Sequence, residues 1–205
     1  MHALITRIAF ALTLLFGVAA PLAAAQAQTD PAVATVQGFY DTLLASMKGG
    51  KALGPQGRFD KLKPAVDQAF DFATMIKYAV GSGWDSASPA DQKALTASFE
   101  RMTAAQYAGN FSSFDGEKFV VDPAVVTRGT DRYVSSKLVT KDQSIAFIYR
   151  VRQFGGSWKI IDVLLEGNIS QLAVYRSDFA ATVKAGGAQA LVTKIDALAD
   201  KALKG

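Results

Sequence analysis

Acidic side chains are the main candidates for chemistry in this sequence, because the residues most often used in catalysis are nearly absent. The chain has no cysteine, and its single histidine is His2. The residues after His2 contain no imidazole and no thiol. They therefore cannot form a Ser-His-Asp triad, a Cys-His triad or a zinc site with histidine or cysteine ligands. No Gly-rich phosphate loop, GxSxG motif or calcium-binding loop is present either.

Asp162 is the one acid inside an apolar strand-like segment. Simple alternation places it on the same face as Trp158 and Ile160. A buried carboxyl group of this kind can act as a general acid or base with a raised pKa. The alternative is a structural acid, hydrogen-bonded to the backbone or paired with Arg150 or Arg176. The structural interpretation is favoured, because no second group for proton transfer can be named.

A hairpin that continues into a helix is predicted to hold this acid. Residues 145–151 alternate apolar and polar with one exception, which is typical of a half-buried strand. Gly155 and Gly156 supply the turn. Residues 158–165 are more continuously apolar, so this return strand is expected to be covered on both faces. Helical spacing begins at Ile169.

Helices are predicted before and after the strands. Asp30-Pro31 caps a first helix that ends at Gly49-Gly50, a loop over 51–57 follows, and a second helix runs near 60–69. Further helices are predicted after Asp71 and after Ser88, the latter reaching about residue 114. Strands begin at Lys118, with a turn at Asp122-Pro123, and two helices close the chain, separated at Gly186-Gly187.

This order of elements predicts an α+β fold. Short turns between strands imply antiparallel neighbours, and helices segregated at both ends must pack on the sheet. We expect a curved antiparallel sheet of about four or five strands, wrapped by N-terminal and C-terminal helices in one domain.

The N-terminus resembles a secretion signal. Arg7 precedes an uncharged apolar run, and Ala25-Gln26-Ala27 offers a cleavage site. We therefore predict a cleaved signal peptide over residues 1–27 and a mature domain over 28–205. The net charge of +4 and the lack of a lysine-rich or arginine-rich run argue against nucleic-acid binding.

Large apolar side chains are abundant along the predicted long helix and the strands. They could simply fill a core. They could also line a cavity, and residue spacing alone does not decide between the two.

The segment WKIIDVLLEGNISQLAVYRSDF, residues 158–179, resembles the C-terminal signature of the MlaC or toluene-tolerance family of periplasmic lipid carriers. Phe70-Asp71-Phe72 with Met75, and then Val80-Gly81 and Ser88-Pro89, resemble the helical half of the family in the same order. Asn168 stands as an extra residue in the signature. The sequence looks most like the hopanoid-associated HpnM branch.

The resemblance implies a cone similar to nuclear transport factors, with an apolar pocket that holds a phospholipid or a hopanoid. It implies a non-catalytic carrier without cofactor or metal, which shuttles lipid through the periplasm. Its implied partners are an inner-membrane ABC-type transporter complex, an outer-membrane complex and, transiently, the membrane itself. The expected pocket wall consists of Phe72, Met75, Ile76, Phe99, Met102, Tyr107, Phe111, Phe114, Ile145, Phe147, Tyr149, Val151, Trp158 and Ile160.

Two other classes of function stay open. One is an envelope interaction module with a filled core, associated with hopanoid or outer-membrane maintenance. The other is a hydrolase or isomerase that uses Asp162 or Glu166. No residue discriminates phospholipid from hopanoid.

Overall fold

The fold is α+β, as predicted, in a computed structural model that describes residues 29–204. The predicted signal peptide lies outside the described residues. An antiparallel sheet is flanked by helices from both ends of the chain. In chain order the elements are α1 (Pro31–Ala69), α2 (Phe72–Val80), α3 (Gly83–Ser86), α4 (Pro89–Asn110), β1 (Lys118–Arg128), β2 (Asp131–Val139), β3 (Ser144–Phe154), β4 (Ser157–Leu165), β5 (Ile169–Ser170) and α5 (Gln171–Lys204).

The five strands form one sheet in the order β1-β2-β3-β4-β5, with every neighbouring pair antiparallel. Gly155 and Gly156 both have positive φ and form the two-residue β3–β4 turn, as predicted. The predicted turn at Asp122-Pro123 is wrong. These residues are a bulge inside β1, where the Asp122 carboxylate accepts a hydrogen bond from the Ala124 N–H. Proline is tolerated there because β1 is an edge strand.

The predicted loop over 51–57 is also wrong, because α1 continues through it with two breaks. Gly50 and Gly54 have non-helical backbone angles with positive φ, and the residues between and after them are helical. Arg58 is buried beside these breaks. Its guanidinium donates to the carbonyl of Gly50 at 3.1 Å and to that of Ala108 at 2.8 Å. The kink in α1 is thereby joined to the end of α4.

α5 likewise consists of two arms, broken at Gly186 and Gly187 as the sequence predicts. The first arm (171–185) runs antiparallel to α4, since Tyr175 contacts Gln106 while Phe179 contacts Phe99. The second arm (188–204) returns parallel to α4 and packs closely on it. α4 is therefore contacted by both arms of α5.

The core lies between the inner face of the sheet and α1, α2, α4 and α5. Strand β4 is its centre, with four consecutive buried residues from Ile160 to Val163. This confirms that β4 is covered on both faces. Asp131, at the start of β2, is also buried and receives hydrogen bonds from Arg150 and Arg152 of β3, which join the two strands.

Candidate functional site

A cavity of about 290 Å³ lies between α4, the first arm of α5 and the inner face of the sheet. Some of the apolar side chains therefore line a cavity, while the others fill the core. The volume is near the lower end of the range for small-molecule sites. The lining residues are Tyr40, Leu43, Phe70, Met75, Phe99, Thr103, Gln106, Tyr107, Asn110, Phe111, Phe119, Phe147, Tyr149, Val163, Leu165, Gln171 and Tyr175.

Helix α4 supplies the longest wall because five of its lining residues recur at helical spacing. Phe99, Thr103, Gln106, Tyr107 and Asn110 fall on one face of a helix with 3.6 residues per turn. Burial decreases along this face, from fully buried Phe99 to exposed Asn110. The cavity therefore runs along α4, from a closed end beside Phe99 to a mouth at Asn110.

The sheet supplies the opposite wall through alternate residues of neighbouring strands. Phe147 and Tyr149 lie on the same face of β3, and Val163 of β4 is the register partner of Tyr149. Phe119 of β1 extends this wall and stacks on Tyr40 of α1, with ring centroids 4.3 Å apart. Aromatic rings from α1, α4 and the sheet thus enclose the cavity.

Burial keeps the tyrosines of this wall uncharged. It raises the pKa of Tyr40 to about 12, although the hydroxyl also shares a hydrogen bond of 2.8 Å with Ser136. Burial likewise raises the pKa values of Tyr107 and Tyr149, and the proximity of other phenol groups adds to the effect in both. No acidic or basic side chain lines the cavity among residues 29–204. Its surface is electrically neutral.

Polar side chains gather at the mouth instead. Gln106 and Asn110 are one turn apart on α4, and Gln171 and Tyr175 are one turn apart on α5. The Tyr175 hydroxyl donates a hydrogen bond of 2.7 Å to Oε1 of Gln106 and so links the two helices across the cavity.

Six of the fourteen residues predicted as pocket wall line this cavity. They are Met75, Phe99, Tyr107, Phe111, Phe147 and Tyr149.

The other eight do not line it, for three physical reasons. Five are buried in the surrounding core, one lies on the surface, and two pack at the ends of strands. Phe114 is 40% exposed beside Lys48, since α4 ends at Asn110 and leaves Phe114 in a surface loop. The Trp158 ring packs against Arg132 outside the cavity. The half-buried Ile145 and the core residues Phe72, Ile76, Met102, Val151 and Ile160 complete the set.

The sequence did not predict eleven of the lining residues. They are Tyr40 and Leu43 of α1, the apolar residues Phe70, Phe119, Val163 and Leu165, and the polar residues Thr103, Gln106, Asn110, Gln171 and Tyr175. Tyr40 and Leu43 belong to the apolar stripe of the first helix, but a stripe does not say which of its members face a space. The i, i+4 pairs Gln106/Asn110 and Gln171/Tyr175 are visible in the sequence. Only the antiparallel packing of α4 on the first arm of α5 brings the two pairs together.

Asp162 is a structural acid, and its predicted position beside Ile160 is wrong. β4 has a bulge at Ile161, so Asp162 pairs with Arg150 while Ile160 pairs with Val151, on the other face. The Asp162 carboxylate accepts hydrogen bonds from the Val163 N–H, the Leu172 N–H and the Ser170 hydroxyl. These contacts attach the start of α5 to the sheet.

Neither Glu166 nor a metal site adds chemistry to the cavity. Glu166 is exposed in the β4–β5 turn with a φ of 52°, and its N–H donates to the carbonyl of Ala146. Across residues 29–204, no group of three or more acidic or histidine side chains is arranged to hold a metal ion. No helix in the same range has the length and apolarity needed to cross a membrane.

A neutral, aromatic-lined cavity in an α+β fold is typical of proteins that bind apolar ligands, and comparisons with known proteins identify the family. The profile described as MlaC protein matches residues 37–197, so the chain belongs to the MlaC family. The chain is also similar to the phospholipid-binding protein from Ralstonia solanacearum, whose structure was solved in complex with a phospholipid. The two share 27% identity with a TM-score of 0.70, over 84% of this chain and 99% of the other. No curated protein matches the chain.

Proposed function

We propose that this protein is a periplasmic carrier that holds one lipid molecule in the cavity along α4. The observation that carries this proposal is the neutral, aromatic-lined cavity with a polar mouth, in a chain of the MlaC family. The phospholipid bound to the similar Ralstonia protein supports a phospholipid as ligand.

The physics of lipid transport calls for such a cavity. Each methylene transferred to water costs roughly 0.8 kcal/mol, so a long acyl chain in water costs on the order of 10 kcal/mol. A carrier must shield that chain while leaving the polar headgroup in solvent. Here the chain would lie between Phe99 and Phe147, and the headgroup would emerge past Asn110.

The same cavity argues against hydrolysis. Its lining holds no carboxylate, lysine or arginine among the described residues, and burial keeps its phenols protonated. An ester bound there would meet neither an activated nucleophile nor a general base. The proposed role is therefore binding and release. An envelope module with a filled core is disfavoured by the presence of the cavity.

The wider route of the lipid also belongs to the proposal. The predicted signal peptide over 1–27 would deliver the domain 28–205 to the periplasm. There it would move phospholipid or hopanoid between the inner and outer membranes, with an ABC-type transporter complex and an outer-membrane complex as partners and with brief contact with each membrane. Membership of the hopanoid-associated branch stays a prediction.

A vesicle transfer assay tests the carrier function. Donor vesicles contain a fluorescent phosphatidylethanolamine with a non-exchangeable quencher, and acceptor vesicles contain neither. The proposal expects dequenching at a rate proportional to protein concentration. A rate equal to that of the vesicles alone, with correctly folded protein, would contradict it.

A further inference from the structure

The mouth of the cavity carries three neutral amides, here called the amide collar and defined as Gln106, Asn110 and Gln171. All three line the cavity, and Asn110 reaches the surface. Because the first arm of α5 runs antiparallel to α4, Gln171 lies opposite Asn110 when Tyr175 lies opposite Gln106. The collar therefore flanks the mouth on the side formed by α4 and α5.

The amide N–H groups of the collar side chains donate no hydrogen bond within the described residues. The Tyr175 hydroxyl occupies Oε1 of Gln106 and so orients that amide, while its Nε2 donates to no other group in residues 29–204. The side-chain amides of Asn110 and Gln171 also make no hydrogen bond within the described residues. Thr103, deeper in the cavity, is different, because its hydroxyl donates to the carbonyl of Phe99 at 2.9 Å.

From this arrangement we propose that the amide collar binds the acyl-ester carbonyl groups of a glycerolipid, and that it selects esters irrespective of headgroup charge. This inference rests on the proposed carrier function and names the part of the ligand that its site recognises. Ester carbonyls are neutral acceptors that lie where the acyl chains meet the polar head. The amides Gln106 and Asn110 lie beside Tyr107 and Phe111 in the half of the cavity nearer the mouth, where that junction would be placed.

Phosphate oxygens are also hydrogen-bond acceptors, but the absence of charged side chains from the cavity lining in residues 29–204 favours the esters. Proteins that bind phosphate tightly surround it with arginine or lysine, whose charge-assisted hydrogen bonds are about twice as strong as neutral ones. The cavity lining offers no such side chain among the described residues. Neutral amides match neutral carbonyls without leaving a buried charge unpaired.

The test compares lipids that differ only at the proposed contact. Purified protein is equilibrated with vesicles of diacyl and dialkyl-ether phosphatidylglycerol in equal amounts, with matched chain lengths, and the loaded lipids are measured by mass spectrometry. Loss of the hydrogen bonds to both carbonyls predicts a preference of about tenfold for the ester. A parallel experiment with diacyl phosphatidylglycerol and diacyl phosphatidylethanolamine predicts loading within about twofold, independent of salt.

Variants assign the preference to the collar. The double variant Gln106→Leu with Gln171→Leu should load ester and ether about equally, whereas Gln153→Leu, an exposed glutamine on β3, should keep the wild-type preference. Equal loading of ester and ether by the wild-type protein would overturn the inference and leave the carrier function standing. A salt-sensitive preference for phosphatidylglycerol would overturn it in favour of recognition of the net negative charge of the headgroup. Failure to load any of these lipids would remove both this inference and the proposal that the carried lipid is a phospholipid.

Discussion

Asp162 and Ile160 lie on opposite faces of β4, although they are only two residues apart. The bulge at Ile161 reverses the alternation, so Ile160 pairs with Val151 and Asp162 pairs with Arg150. The carboxylate is thereby turned away from the cavity and toward the first turn of α5, where it accepts hydrogen bonds from the Leu172 N–H and the Ser170 hydroxyl, in addition to one from the neighbouring Val163 N–H. This places Asp162 in the framework of the protein.

Asp162→Asn should therefore lower stability without abolishing lipid loading. An amide has one acceptor oxygen where the carboxylate has two, and its NH₂ group would face donors that it cannot pair with. We expect a loss of about 1–3 kcal/mol in the free energy of unfolding, measured by urea denaturation. Asp142→Asn, in the exposed β2–β3 turn, should be neutral. A folded Asp162→Asn protein that binds lipid normally but transfers none would instead give this acid a direct role.

Arginine at the cavity wall should abolish lipid loading. Phe111→Arg and Phe147→Arg each place a charge in the neutral lining, where an acyl chain would have to desolvate it. Phe114→Arg is the matched control, since Phe114 is 40% exposed outside the cavity. We expect organic extracts of the first two variants to lack the lipid that the control retains. Normal loading in either folded cavity variant would remove that phenylalanine from the proposed wall.

Asp131 should make stability depend on pH. Burial alone would raise the pKa of this carboxyl group, but the hydrogen bonds and charges of Arg152 and Arg150 outweigh it and hold the pKa below its usual value. Because the folded pKa lies below the unfolded one, the contribution is complete above the ordinary aspartate pKa of about 3.9 and is lost as pH falls through the lower folded pKa.

The variant Asp131→Asn isolates this contribution. Breaking a buried charge pair predicts a loss of about 3 kcal/mol at neutral pH. The difference in unfolding free energy between wild type and variant should shrink as the pH is lowered to about 3, because the wild-type carboxylate is then becoming protonated. Urea titrations of both proteins at several pH values measure this difference in unfolding free energy. A difference that stays constant with pH would contradict the assigned ion pair.

Two glycine substitutions should change stability in opposite directions. A Cβ at Gly109 would lie 2.6 Å from the carbonyl oxygen of Ala202, so Gly109→Ala must push the second arm of α5 away from α4. We expect a loss of about 1–3 kcal/mol in unfolding free energy. A Cβ at Gly38 meets nothing within 4 Å, so Gly38→Ala in α1 should stabilise by up to about 1 kcal/mol through helix propensity. Equal effects of the two would refute the close packing at Gly109.

Local patterns were sufficient to predict the fold, because caps, turns and alternation are properties of neighbouring residues. Asp30 and Ser88 cap helices as expected, and Asp71 caps a third; each side chain accepts a hydrogen bond from a backbone N–H. The α+β class follows from the order of these elements. The bulge in β4 was not predictable, since its one extra residue, Ile161, changes the register without any turn-forming sequence.

The cavity could be predicted only in part, for a different physical reason. Apolar residues such as Tyr107 and Met102 look alike in sequence, yet one lines the space and the other fills the core. Which of the two occurs depends on the distance between α4 and the sheet. That distance is set by packing over the whole chain, including the α1 kink that Arg58 holds against the end of α4.

The identity and amount of lipid in the purified protein test the central proposal most directly. The protein is purified without detergent, extracted with organic solvent and analysed by quantitative mass spectrometry. The account predicts a glycerolipid with ester-linked chains at close to one molecule per chain. Protein that is consistently free of lipid, and that takes up none from vesicles, would contradict it.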